Sequence, residues 1–357
     1  MSNCYFITKS RDKANHAGSK AVNDTDNIML KAGFNKIDIF PSRNKNRFVR
    51  KIRNLCSLSR LDEITTGSLV VIEHPLYINK RYIDLVKKIK DSKSLTLAFI
   101  IHDFETVRNL FPEDLEIREI EKTVLDIADI LIVHNEKMKA MFVERFGLAS
   151  SRIISLSIFD YLCDGDIRRD RTASNEITIA GNLNPQKSGY IYKLEKQCKD
   201  LTFILYGVNY EQSGERENIK YLGSVDSEIL PNVLEGGFGL IWDGDSIESC
   251  TGSTGEYMKI NNPHKASLYL ASGVPVIVWK EAAISDFVIE NKVGICVSSL
   301  NEISETINRL SEEEYNEMLD NARTIGARIR SGYYFSEALN KAKEYYYKNS
   351  DDKVAVL

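Results

Sequence analysis

Proline is scarce in this chain, seven in 357 residues, which points to long regular elements rather than Pro-rich linkers. The six cysteines stand singly at positions 4, 56, 163, 198, 250 and 296. No C-x-x-C pair and no zinc-ligand spacing occurs, so a disulfide framework and a structural zinc are excluded. Isolated thiols of this kind suit a reducing compartment. Charge of one sign is also missing: 47 basic against 51 acidic residues leave −4, and nothing marks a nucleic-acid-binding protein. The most apolar runs, 95–101 and 129–134, fall well short of the roughly 18 residues needed to cross a bilayer. The opening MSNCYFITKSRDK is too short and polar for a signal peptide. No G-x-G-x-x-G follows a candidate strand, which disfavours an NAD-dependent dehydrogenase. The expectation is a cytoplasmic globular protein of two domains, at roughly 150 residues each.

What is present is alternation. Short apolar, β-branched runs appear at 4–8, 36–40, 68–74, 95–102, 130–134 and 152–159. Their unbroken apolar character suits strands covered on both faces of a parallel sheet. Amphipathic stretches fill the gaps, at 19–33, 80–92 and 135–147. The last has Asn135 placed as N-cap and Gly147 as the residue that ends the helix. A polar, turn-rich stretch at 160–176 interrupts the rhythm and reads as a linker. The alternation then restarts with runs at 176–181, 201–207, 219–225, 238–244, 275–279 and 294–299, before a helical tail from Glu302. The fold class expected is α/β, two Rossmann-like doubly wound domains spanning 1–160 and 172–335, with a C-terminal helix (336–357) packing back on the first.

Ligands of doubly wound sheets bind beyond the carboxyl ends of the strands, so the residues just after each run matter most. Gly236, Gly237 and Gly239 flank one buried strand, and an Asn-Asn-Pro-His-Lys stretch (261–265) then opens a helix. Lys265 at a helix start opposes the helix dipole unless an anion is bound there. Asn261 or Asn262 as a helix cap is a sufficient structural account of those two residues.

These residues carry a resemblance. GGFGLIW (236–242), HKASLYLASGVPVIV (264–278) and FVIENKVG (287–294) together resemble the donor half of GT-B glycosyltransferases. The pattern is most similar to bacterial β-1,6-galactofuranosyltransferases and the glucosyltransferases that extend glycans on streptococcal serine-rich adhesins. FIIHDFETVRNLF (99–111) and AGNLNPQK (180–187) resemble further segments of the same family.

The resemblance implies a transferase that moves a hexose, galactofuranose or glucose, from a UDP-sugar to a carbohydrate acceptor in surface glycan or glycoprotein synthesis. UDP-sugar would be a co-substrate, with no cofactor otherwise. Lys187 and Lys265 would meet the diphosphate, with Gly181, Asn182, Asn261 and His264 around the donor. Tyr206, Gly207 and the 221–223 turn would lie beside the base, and the N–H groups of Ala282, Ala283 and Ile284 would face the donor. Many retaining members carry two glutamates before the small-Gly-x-Pro signature; here those positions fall at Ile260 and Leu268, so inversion is expected. Inversion needs a base on the acceptor side and a clamp on the leaving diphosphate. Asp103 is the preferred base, with His102 and His16 as further catalytic candidates and Asp103 as a turn or cap residue the bland alternative. Since consecutive strand residues point oppositely, one of 102 and 103 is expected to reach the substrate. No metal site is expected, although DGD at 243–245 could imitate one. A UDP-sugar epimerase and a non-catalytic subunit of a transferase complex are the competing readings.

Weaker signals complete the reading. The stretch 42–55 carries six basic residues interleaved with Phe48, Val49, Ile52 and Leu55, as in segments that lie on anionic membranes. A helix packed on the sheet with a solvated basic face is the expected reading of that stretch, with a peripheral contact at the inner face of the membrane as the alternative; a homo-oligomer is expected, and no nucleic acid. The tyrosines 345–347 are expected to pack the last helix onto the first domain.

Overall fold

The computed structural model describes residues 3–9, 17–39, 46, 58–168, 171–172, 175–211 and 217–354. The first half builds one six-stranded sheet from β1 (Cys4–Lys9), β2 (Asn35–Ile39), β3 (Leu69–His74), β4 (Thr96–Ile101), β5 (Ile130–Val133) and β6 (Ile153–Ser155). The strands lie in the order β2-β1-β3-β4-β5-β6 and pair in parallel throughout. Every residue of β3 and β4 is buried, because helices cover both faces of the sheet, and this is why both strands are unbroken apolar runs.

The second half builds a second parallel sheet from β7 (Glu176–Asn182), β8 (Thr202–Val208), β9 (Ile219–Tyr221), β10 (Phe238–Ile241), β11 (Val276–Trp279) and β12 (Gly294–Val297). Its order is β12-β11-β10-β7-β8-β9. Strand order reverses between β7 and β10 here, and between β1 and β3 in the first sheet; such reversals open the crevices where doubly wound domains bind ligands. The α/β class and the two doubly wound sheets are those the alternation predicts.

Local rules account for several element ends. Asn135 accepts the backbone N–H of Met138 and starts the helix Glu136–Phe146, which Gly147 closes in the left-handed conformation. A capping box between Ser311 and Glu314 starts the helix Glu312–Ser331, and left-handed Gly332 ends it. The chain then returns as the helix Tyr333–Val354. Its Phe335, Leu339 and Tyr346 share a core with Phe6, Ile28 and Phe34 of the first half. Each large apolar side chain so buried contributes about 1.5–3 kcal/mol. Tyr346 donates its hydroxyl to the Gly67 carbonyl at 2.7 Å, whereas Tyr347 faces solvent.

Two expectations need correction. The run 152–159 pairs only as Ile153–Ser155; Leu156, Ile158 and Phe159 are apolar because they pack within the hydrophobic cores, not because they pair in the sheet. The stretch 160–176 is not simply a solvated linker. Asp160 and Tyr161 are buried, and the Asp160 carboxylate accepts the N–H groups of Tyr334 (3.2 Å) and Phe335 (2.7 Å) at the start of the last helix. His16 and, apart from Asn46, the basic stretch 42–55 lie outside the described residues.

Candidate active site

Both sheets send strand ends into one cavity of about 490 Å³. From the first half come His102, Asp103 and Arg108; from the second come Gly181, Lys187 and Lys265. The second group stands at the β7/β10 reversal. Gly207 pairs with Gly181 across β7 and β8, and a Cβ on Gly207 would lie 1.8 Å from the Gly181 carbonyl oxygen. Only glycine lets those two strand ends close up beside the cavity. Gly239 is constrained in the same way, because a Cβ would meet the Tyr269 ring at 2.3 Å. Tyr269 in turn accepts the N–H of Ala180 at 2.8 Å, fixing the helix His264–Ala271 against the end of β7.

Lys265 occupies the second position of that helix, and its ammonium donates to Asp243 Oδ1 at 2.7 Å and to the Trp242 carbonyl at 3.1 Å. An ammonium has three donors, so one is left for a ligand. Burial would raise the Asp243 carboxyl, but Lys265, with Lys187 and Arg108 nearby, holds it below the ordinary carboxylate range. Lys187 is the third residue of the short helix Pro185–Ser188, started by Asn184. Its carbonyl accepts the Gly244 N–H at 2.9 Å, which ties the loop after β7 to the loop after β10. Three cations therefore gather around Asp243 and Asp103 in this cavity, an arrangement suited to an added anion.

On the opposite wall, Asp103 pairs with Arg108 at 3.0 Å. Burial pushes its carboxyl up to about 6, Arg108 pulls it down, and Glu105 adds to the rise. A carboxylate poised there can take a proton near neutral pH. Asp103 is not a cap: Phe104 holds that position before the helix Glu105–Arg108 and no side chain caps it. His102 stacks on Phe159 at 5.6 Å, with Nε2 3.8 Å from Glu73 Oε1. Both 102 and 103 line the cavity, because β4 ends at Ile101 and the pleat no longer sets their directions. His264 also stacks on Phe159, at 4.9 Å. Burial depresses its imidazole to about 3, so it is neutral near pH 7, and neither ring nitrogen has a partner among the described residues.

Of the remaining residues named from sequence, Asn182, Tyr206, Gly207 and Asn261 also line the cavity. Tyr206 is buried, with its hydroxyl donating to the Val233 carbonyl at 3.2 Å. The turn at 282–284 is a correction. None of the three lines this cavity; the Ala282 N–H bonds to the Trp279 carbonyl and the Ala283 N–H to the Met258 carbonyl. The Ala282 donor closes the strand–helix turn, and the Ala283 donor ties that turn to the end of the helix Gly252–Tyr257. Neither Asn261 nor Asn262 caps the helix, since Pro263 is the preceding residue. Asn262 bridges the two halves, donating to His134 Nδ1 (2.9 Å) and to the carbonyls of His134 (2.9 Å) and Ser157 (2.6 Å). The two aspartates of 243–245 take different partners, Lys265 and Thr251. Sequence reading missed Arg108 and Tyr257, which accepts the Phe104 N–H at 3.1 Å. Arg108 lay in plain view inside the 99–111 segment, but its pairing with Asp103 depends on a helix of only four residues.

The sequence comparisons coincide with these two halves. The glucosyltransferase 3-like N-terminal domain matches residues 4–158 and the glucosyltransferase 3-like C-terminal domain residues 177–342. The chain belongs to the glucosyltransferase 3-like family. The β-1,6-galactofuranosyltransferase WbbI of Escherichia coli (strain K12) is 37% identical over 246 residues, 68% of this chain and 69% of that relative. Glucosyltransferase 3 of Streptococcus gordonii is 25% identical over 329 residues, covering 89% and 92%. This glucosyltransferase 3-like chain is therefore a glycosyltransferase. Among solved structures, Anabaena HepE in complex with UDP-glucose matches with a TM-score of 0.58 at 10% identity, over 95% of this chain and 99% of that one. An alpha-glucosyltransferase in complex with UDP gives 0.59 at 12%, over 94% and 98%. At such identity the likeness is one of fold, and the fold is that of GT-B glycosyltransferases. No described helix of this family member is long and apolar enough to cross a membrane.

Proposed function

We propose that the enzyme moves a hexose from a UDP-sugar held in the cavity to a hydroxyl of a carbohydrate acceptor, inverting the anomeric centre without a metal ion. The observation that carries this reading is the gathering of Lys265 and Lys187 opposite the Asp103–Arg108 pair in one cavity between the two sheets. Lys265 and Lys187 would neutralise the diphosphate, the work that a metal does in other enzymes. The Asp103 carboxylate would take the proton of the acceptor hydroxyl as its oxygen bonds to the anomeric carbon. The bond from that carbon to the diphosphate oxygen breaks and UDP leaves. Neutral His264, whose ring nitrogens have no hydrogen-bond partner among the described residues, suits a hydrogen bond to the donor sugar or phosphate.

Galactofuranose and glucose are both supported by the names of the relatives. A cytoplasmic setting is supported by the free thiols of Cys4, Cys163, Cys198, Cys250 and Cys296. A peripheral membrane contact draws support from the basic stretch 42–55. The experiment is to incubate enzyme with a panel of UDP-hexoses, with and without saccharide acceptors, and follow UDP release. UDP release that depends on acceptor supports the transferase. Interconversion of donors without acceptor would make it an epimerase, and absence of both with UDP bound would make it a binding subunit.

A further inference from the structure

A second cavity, of about 300 Å³, lies wholly within the first half, behind the end of β3 and against the helices Lys80–Lys93 and Leu115–Ile127. Pro75 and Tyr77 line both this cavity and the larger one. Its walls are mostly apolar, with Leu76, Phe99, Ile117 and Ile120 among them. Tyr82 and Glu105 stand among the polar groups that interrupt them. Tyr82 is 4% exposed and its hydroxyl has no hydrogen-bond partner among the described residues. Glu105 is 3% exposed; one carboxylate oxygen accepts from Tyr77 Oη at 2.9 Å, while Oε2 has no partner among the described residues. Buried polar groups left unpaired are destabilising and rare, and a ligand is one thing that pairs them. The neighbouring Glu121 offers no such opening, since it already accepts the N–H groups of Glu105 (2.5 Å) and Thr106 (2.7 Å).

The charge of the lining narrows the ligand. Glu73, Glu105, Glu121, Asp114 and Glu116 line the cavity; among the described residues no lysine or arginine does, and the one basic side chain in the lining, His74, lies 3.5 Å from Glu121. Anions would be repelled here, in contrast to the cationic cavity next door. An open hydroxyl and an open carboxylate oxygen between apolar walls match a ligand with hydroxyl groups and apolar C–H faces. The volume is at the low end for ligand pockets. The wall between the cavities is itself a chain of contacts: Tyr77 to Glu105, Glu105 to Arg108 at 3.3 Å, and Arg108 to Asp103 at 3.0 Å.

We propose that this cavity holds one uncharged sugar ring of the acceptor, bound through Tyr82 and Glu105 beside the Asp103 wall. The proposal rests on the transferase reading of the larger cavity. It is tested on the full chain with UDP present, by ligand-observed NMR titration of methyl glucopyranoside and methyl galactopyranoside against methyl glucuronide. The variants are Tyr82→Phe, which removes one oxygen, and Ile120→Trp, which fills the cavity.

At least one uncharged hexoside should bind, and the glucuronide about tenfold more weakly or not at all. Tyr82→Phe should weaken the hexoside about tenfold, the scale of one hydrogen bond, and Ile120→Trp should abolish it, with UDP affinity unchanged in both. Tyr82→Phe decides alone if Ile120→Trp does not fold. Hexoside binding unaffected by Tyr82→Phe, glucuronide binding as tight as the hexoside, or UDP binding with no hexoside binding would each overturn the proposal. Hexoside binding in a chain that does not take UDP would overturn the donor reading while leaving this cavity a sugar site.

Discussion

Lys265 and Asp103 show how single side chains are tuned by what stands beside them. The ammonium of Lys265 is held by Asp243 and the Trp242 carbonyl, so it is positioned before any anion arrives. Lys265→Ala should therefore weaken UDP binding by about 1–3 kcal/mol, the range for charge-assisted hydrogen bonds; calorimetric titration of the folded variant checks this, and unchanged affinity would remove Lys265 from the donor site. In the proposed reaction Asp103 would act as a base only when ionised, and burial pushes its carboxyl up to about 6. The rate kcat/KM should accordingly be full above that value and fall as pH drops through it. Asp103→Asn should cut turnover by about 100-fold or more, the scale of general base catalysis, and leave UDP affinity intact. Loss of UDP affinity together with turnover would instead mark Asp103 as part of the donor site. Legibility at this scale was uneven. Lys265 stood out because a cation at a helix start is electrostatically misplaced without a partner. The partner itself, Asp243, is 22 residues away along the chain and no spacing rule links them.

Elements in this molecule are held in place by contacts between groups far apart in sequence. The start of the helix His264–Ala271 is docked on the first half by Asn262, which donates three hydrogen bonds there and accepts a fourth from Asn135 Nδ2 at 2.7 Å. Asn262→Ala removes the three side-chain bonds and leaves the Ser157 carbonyl and the Asn135 amide short of a partner. The expected loss of stability is about 1–3 kcal/mol, the range for an unsatisfied buried group, read as a lower denaturation midpoint in urea. A midpoint equal to wild type would mean that the contact contributes nothing to docking. The caps Asn135 and Gly147 were legible because capping is local: residue type and spacing within one turn decide it. The false strand at 156–159 arose because apolarity reports burial, and Leu156, Ile158 and Phe159 are buried by packing within the cores.

Across the whole molecule, the last helix returns to the first sheet after the chain has completed the second. Asp160 anchors that return, and burial pushes its carboxyl, like those of Asp24 and Asp26, up to about 7. The folded chain then binds these protons more tightly than the unfolded chain, whose carboxyls titrate near 3.9. Their contribution to stability is full below that value and is lost as pH rises through about 7. Asp160→Asn keeps one acceptor for the two helix N–H groups and cannot titrate. The melting temperature of the variant should be lower at pH 5 than that of the wild type, and should decline less between pH 5 and 8. An unchanged pH slope would show that Asp160 does not titrate in that interval. The same scale explains what was readable. Strand–helix alternation determined the class, the element order and the ends of most strands, because periodicity is a property of residues close together in the chain. Only the tertiary structure decided that Arg108 meets Asp103, that Asp243 holds Lys265, and that the N–H groups of Ala282 and Ala283 face inward. Those outcomes depend on which strand ends the sheet order brings together, and on which hydrogen-bond partners remain once packing has consumed the rest.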